Sequence, residues 1–108
     1  MEGEAVSEVI ESNSDKFIKG DIVIGRTGWQ TMPLVSDKII EKVHNPDLPL
    51  SLALGTLGMP GRTAHLGYFE ILKPKPGETI VVSAASGAVG SIVGQLAKLM
   101  GCTVIGIV

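Results

Sequence analysis

A single cysteine, Cys102, stands in the whole chain, so no internal disulfide framework is available and a reducing compartment is expected. Metal-binding patterns are equally scarce. Cys102, His44 and His65 lie far apart and fit no ligand spacing, so neither zinc nor any other metal is expected. Nine Lys and Arg against 11 Asp and Glu leave a formal charge of -2, with no basic cluster. That argues against a nucleic-acid groove or an anionic membrane surface as a partner, and neither is expected. Met1-Glu2-Gly3-Glu4 has neither a basic n-region nor an apolar h-region, so no secretory leader is expected and the cytoplasm is the expected location. No internal repeat and no low-complexity tract is present.

Apolar residues are plentiful by contrast. A hydrophobic fraction of 44% and a mean hydropathy of +0.36 point to deeply buried strands and away from disorder. At 108 residues the chain holds one small domain or parts of two. The most informative stretch runs Ile80-Val81-Val82-Ser83-Ala84-Ala85-Ser86-Gly87-Ala88-Val89-Gly90-Ser91-Ile92-Val93-Gly94-Gln95-Leu96-Ala97-Lys98. A β-branched run enters a turn of small residues, the turn opens into an apolar helical pattern, and a second β-branched run follows over Cys102–Val108. Strand, small-residue turn, helix, strand is a parallel βαβ unit, and such a turn is where dinucleotide pyrophosphates bind. The first turn of a helix has unpaired N–H groups and the positive end of its dipole, and small residues let a diphosphate approach them. Gly87 and Gly90, with Ala84, Ala85 and Ala88 around them, supply that access; the alternative is a Gly-rich turn before a packed helix, with no ligand. Gly90 and Gly94 are expected to let the helix lie close to the sheet. The pattern reads A-x-x-G-x-x-G, with Ala85 where the common dinucleotide fingerprint has its first glycine. On this reading Gly90→Val is expected to abolish cofactor binding in a complete enzyme without unfolding it. The uncharged run Thr79 to Ala97 also raises a membrane span, but its glycines and serines cluster at a turn and it holds Gln95, so a buried βα unit explains it better.

Upstream, Ala5 to Glu11 reads as a strand, followed by a turn at Ser12-Asn13-Ser14-Asp15. A turn at Lys19-Gly20-Asp21 precedes a second strand, Ile22-Val23-Ile24. Trp29 to Val35 is expected as a further short extended piece. Asp37 to His44 fits either a short helix or a strand-like run through Ile39, Ile40 and Val43. Leu50 to Leu57 is apolar with Ser51 as its N-cap, and Pro60 suits the first turn of a helix over 61–72. Tyr68 reads as helix packing and Cys102 as a small apolar residue in a buried strand. The boundary between a β-rich part, 1–55, and a nucleotide-binding part, 56–108, is placed at this junction.

Three landmarks in this order resemble one family: Gly20-Asp21-Ile22-Val23, then Gly55-Thr56-Leu57-Gly58-Met59-Pro60-Gly61-Arg62-Thr63-Ala64, then Pro76-Gly77-Glu78-Thr79 with Ala84-Ala85-Ser86-Gly87-Ala88-Val89-Gly90-Ser91. The chain resembles the zinc-independent medium-chain dehydrogenase/reductases, in particular the prostaglandin reductase / leukotriene B4 12-hydroxydehydrogenase branch. The resemblance implies an α/β fold: part of a GroES-like β-barrel, then the first βαβ unit of a Rossmann-type domain. It implies NADPH-dependent reduction of the C=C bond of α,β-unsaturated ketones and aldehydes, and a homodimer for the whole enzyme. Met59 and Thr63 match positions that contact the nicotinamide end of the cofactor, and Gly87, Ala88, Val89 and Gly90 match the pyrophosphate loop, with Ser91 as a helix-start donor. No catalytic residue is assigned within these 108 residues. Family members are far longer, so the NAD-versus-NADP selector and most of the substrate pocket are expected to lie outside this sequence. Arg62 and His65 depart from the family's usual aliphatic and aromatic residues on the expected cofactor helix; they read as solvated surface, with an altered cofactor pocket as the alternative. A quinone-reductase-type relative and a truncated, inactive chain acting at most as a dimerisation fragment are the alternatives.

Overall fold

The computed structural model describes residues 1–108, which divide into two compact units, Met1–Leu54 and Gly55–Val108. The first unit is an open antiparallel sheet in the order β1 (Glu4–Glu8), β2 (Ile22–Arg26), β3 (Ile40–Lys42), followed by a 3-10 turn over Leu50–Leu54. Ala5 stands opposite Gly25 and Ser7 opposite Val23, while Gly25 also faces Ile40 across β3. A Cβ on Gly25 would lie 2.8 Å from Ile40 Cγ2, so this glycine is what lets the third strand close in. The β1–β2 connection is tied at both ends: Val9 N–H donates to the Asp21 carbonyl (2.9 Å) and Gly20 N–H to the Val9 carbonyl (2.8 Å). The Asp21 carboxylate accepts the Ile18 N–H at 2.9 Å and pairs with Lys42 Nζ at 2.8 Å, which links the turn to β3. Phe17, Val23 and Ala53 are buried in this unit.

Several expectations for this half are corrected. Trp29 to Val35 forms bends and no strand, and Trp29, Met32 and Leu34 project into solvent. No neighbouring strand receives them, and an apolar run without a partner has nothing to order it as a strand. The ambiguous segment Asp37 to His44 contributes β3, three residues long. The first strand ends at Glu8, ahead of the expected Glu11. Ser51 lies inside the 3-10 turn, not before it.

The second unit opens with α1 (Met59–Leu66), whose Pro60 sits in the first turn where a missing N–H costs nothing. The helix runs on into a π-turn over Gly67–Leu72, which ends at Lys73 in the left-handed region (φ 47°), its N–H donating to the Tyr68 carbonyl at 2.9 Å. Strand β4 (Thr79–Ser83), helix α2 (Gly90–Leu99) and strand β5 (Thr103–Ile107) then form the expected βαβ unit, with β4 and β5 parallel and Ile80 opposite Val104. Ile80, Val82, Ala97, Cys102 and Tyr68 make its core, with Val93, Leu96 and Val104 packed around them. Burial alternates along β4: Ile80 and Val82 face the core, whereas Val81 (59% exposed), with Ile105 and Ile107 on β5, faces solvent. The strands are therefore covered on one face only, where the composition pointed to deeper burial. No helix is long and apolar enough to cross a membrane.

Candidate dinucleotide site

The loop from Ser83 to Gly90 takes its shape from one unusual residue. Ala84 has φ 47°, a left-handed conformation that costs an alanine about 1–2 kcal/mol. Neighbouring bonds hold it there. Ala85 N–H donates to the Ile107 carbonyl at 3.0 Å, fixing the loop to the C-terminal end of β5, and Gly87 N–H donates to the Ala84 carbonyl at 2.9 Å. Non-glycine residues in this conformation cluster at ligand-binding turns, where the surrounding structure pins them.

The curl brings the Ala84 carbonyl over the start of α2. A Cβ on Gly90 would run into that oxygen and lie 3.0 Å from the carbonyl carbon. Gly87 is also close, its Cβ position being 3.1 Å from the same oxygen. Gly90 is thus required by backbone-to-backbone contact inside the protein, whatever binds outside. The expectation that Gly90→Val removes the ligand and spares the fold is accordingly corrected. Gly94 is corrected too: a Cβ there would sit 3.7 Å from Val104 Cγ1, an ordinary contact, so close helix–sheet packing does not need it.

Ser91 N–H donates to the Gly87 carbonyl, and the Ile92 and Val93 N–H groups both donate to the Val89 carbonyl. The N–H groups of Ala88, Val89 and Gly90 take no part in these backbone bonds and stand at the positive end of a ten-residue helix. Beside them lies a hollow of about 530 Å³, lined by the loop, by Ile80–Ala84 of the β4 edge, and by Leu72 and Val93. Three free donors, a dipole end and an unobstructed approach make an anion cradle, and its residues fit a diphosphate.

Met59 and Thr63 meet on the exposed side of α1, one turn apart. The Thr63 hydroxyl donates to the Met59 carbonyl at 2.9 Å and lies 3.4 Å from Met59 Sδ. Its one proton is therefore engaged within the helix, and toward any ligand the hydroxyl offers lone pairs. Helix α1 packs against α2, which carries the cradle at its start. Arg62 is exposed, and His65 lies tilted against Phe69 with ring centroids 4.7 Å apart. Tyr68 and Cys102 are core residues whose hydroxyl and sulfur are 3.6 Å apart. Burial, and then the thiol contact, push the Tyr68 phenol up to about 12.

Two glycines shape this unit through contacts that the sequence reading did not assign to them. A Cβ on Gly106 would lie 2.8 Å from the Ala85 methyl, so β5 needs a glycine where the loop leans on it. A lone glycine inside a β-branched run is the signal that marks such an approach. Gly61 is the second, since a Cβ there would collide with the Thr56 carbonyl.

Comparison with known proteins agrees with this architecture. The profile described as the N-terminal domain of oxidoreductase matches residues 1–43. The chain is 51% identical over 105 residues to the NADP(+)-dependent 2-alkenal reductase of Nicotiana tabacum, covering 96% of this chain and 31% of that protein. It is 55% identical over 109 aligned positions to prostaglandin reductase 1 of Bos taurus, covering 98% and 33%. The crystal structure of CurA from Vibrio vulnificus in complex with NADPH superposes with a TM-score of 0.86 at 48% identity, covering 98% of this chain and 32% of that one. The chain spans about a third of the length of the relatives it matches. On sequence and fold together, the chain is similar to the zinc-independent medium-chain dehydrogenase/reductases, and among them to the prostaglandin reductase branch.

Proposed function

We propose that these residues form the cofactor-entry part of an NADPH-dependent reductase acting on the C=C bond of α,β-unsaturated ketones and aldehydes. The observation that carries the reading is the cradle: free N–H groups at Ala88, Val89 and Gly90 around a hollow that no side chain closes. In this reading Ala88, Val89 and Gly90 hold the diphosphate through backbone donors and the α2 dipole, and Gly87, its own N–H engaged by Ala84, leaves room for the approach. Met59 and Thr63 receive the nicotinamide end. Thr63 accepts from the carboxamide NH2, because its own proton is engaged by Met59. A nicotinamide held there would supply hydride chemistry to the enone; the residues here would bind and orient it. The whole enzyme is proposed to work as a homodimer in the cytoplasm, a reading that rests on the family resemblance. The likeness to an NADP(+)-dependent alkenal reductase and to a structure containing NADPH supports both cofactor and reaction class.

Ala88 is exposed, so a side chain there can be changed without disturbing the core. Ala88→Asp places a carboxylate against the diphosphate while leaving the start of α2 intact, since an acidic group near a helix N-terminus is favourable. The expected outcome is at least a tenfold loss of NADPH affinity, a penalty of about 1.4 kcal/mol or more, with an unchanged melting temperature. Equal affinity in the two proteins, measured by titrating NADPH fluorescence, refutes the assignment of the loop.

A further inference from the structure

Of the four methionines, Met59 is the one whose sulfur lies against a side-chain hydroxyl, Thr63 Oγ1 at 3.4 Å. It is also 56% exposed, so a small oxidant reaches it from solvent. We infer that Met59 is an oxidant-responsive modification site, whose sulfoxide captures the Thr63 hydroxyl. The step balances with hydrogen peroxide. The thioether lone pair attacks one peroxide oxygen, the O–O bond breaks, an S–O bond forms, and the departing oxygen takes up the proton and leaves as water. Sulfur loses two electrons and peroxide gains them.

The consequence follows from the geometry of Thr63. Its single proton is given to the Met59 carbonyl at 2.9 Å, with the thioether as a second, weak acceptor. A sulfoxide oxygen is a strong, polar acceptor on a flexible side chain, and it lies within reach of the same hydroxyl. Capture moves the hydroxyl proton from the Met59 carbonyl to the sulfoxide oxygen, which re-aims the lone pairs offered to a ligand, and places a polar group on the exposed face of α1. Resting on the reading that Thr63 and Met59 meet the nicotinamide end, oxidation weakens NADPH binding roughly three- to tenfold, the weight of one hydrogen bond. Reduction of the sulfoxide restores it. The site thereby lowers cofactor affinity when peroxide rises. Cys102 does not compete as a target, being buried, with its thiol donating to the Lys75 carbonyl at 3.4 Å.

The test treats the 108-residue chain, its Met59→Leu variant and its Thr63→Val variant with hydrogen peroxide. Oxygen uptake is mapped by peptide mass, Thr63 is followed by NMR, and NADPH is titrated before and after. The expected result is oxygen on Met59, a shift of the Thr63 resonances in the wild type that is absent from Met59→Leu, and a three- to tenfold weaker NADPH affinity reversed by methionine sulfoxide reductase. Each variant is compared with its own untreated value, and neither shows the further loss. Met59 remaining reduced at doses that oxidise Met32, or Thr63 resonances indifferent to oxidation, overturns the inference. An equal peroxide-dependent loss in Met59→Leu overturns it as well. Absence of NADPH binding before any oxidation instead refutes the cofactor reading, and the Thr63 resonances still decide the modification.

Discussion

Helix α2 contains two glycines one turn apart, and intrinsic helix propensity makes the same prediction for both. Replacing either with alanine adds a better helix former and restricts the unfolded chain, a gain of about 0.5–1 kcal/mol. The structure separates them. At Gly94 the new methyl meets Val104 Cγ1 at 3.7 Å, an ordinary contact, so the gain is kept. At Gly90 it meets the carbonyl of Ala84 and lies 3.1 Å from Ala85 Cα, and both are backbone atoms of a turn already held in a left-handed conformation. Nothing flexible can move aside. Overpacking of this kind costs about 1–3 kcal/mol, and the upper end applies where backbone must shift, leaving a net loss of about 2 kcal/mol. For a unit of this size Gly94→Ala raises the melting temperature by about 4 °C, and Gly90→Ala lowers it by about 10 °C. Thermal unfolding followed by circular dichroism reads both. Shifts of the same sign in the two variants refute the claim that Gly90 answers to the Ala84 carbonyl.

Three further outcomes follow from the same geometry. Gly106→Ala destabilises by about 1–2 kcal/mol because its methyl meets that of Ala85, and adding Ala85→Gly recovers part of the loss; strictly additive effects in urea unfolding refute the contact. The Lys42 hydrogen bond, and then the Ile18 N–H, hold the Asp21 carboxyl below its ordinary value. The stability this gives is present above about pH 4 and lost as pH falls through the lowered folded pKa. Asp21→Asn flattens acid unfolding in that range, and an unchanged acid limb counts against the turn-to-β3 link. At the alkaline end, the Tyr68 phenol is held neutral to about 12, so its contribution is complete below about pH 10 and disappears as pH rises to about 12. Tyr68→Phe removes that part of the alkaline transition, which absorbance of the phenolate checks.

The βαβ unit was legible because several levels agree within it. Ile80-Val81-Val82 has strand propensity, the small residues after it cannot continue a strand or fill a core, and Ile92, Val93 and Leu96 recur at helical spacing. Where one level was missing, the reading failed. Trp29 to Val35 has apolar residues but no partner strand, and Leu34 is fully exposed. Ile39, Ile40 and Val43 fit helix and strand equally. What settles them is pairing with β2, made possible by Gly25, some fifteen residues away. Local pattern reports what a segment can do, and the opposite strand decides which option is taken.

The cradle shows a different limit. Its sequence says that side chains are small, and the natural inference is that they are small for a ligand. Yet the space above Gly90 is filled by the Ala84 carbonyl, and that above Gly106 by the Ala85 methyl. Both glycines exist so that the loop can fold back on its own strands. Nothing in the letters at position 84 announces a positive φ, because alanine seldom adopts one and glycine is the usual mark. The same fold-back leaves three N–H groups without backbone partners beside the hollow. The Ala84 carbonyl, turned onto α2, accepts the Gly87 N–H and does not occupy the Ala88, Val89 and Gly90 donors. Packing and ligand access therefore share one cause in this turn. A substitution that separates them has to act on an exposed side chain such as Ala88, not on the glycines that give the motif its signature.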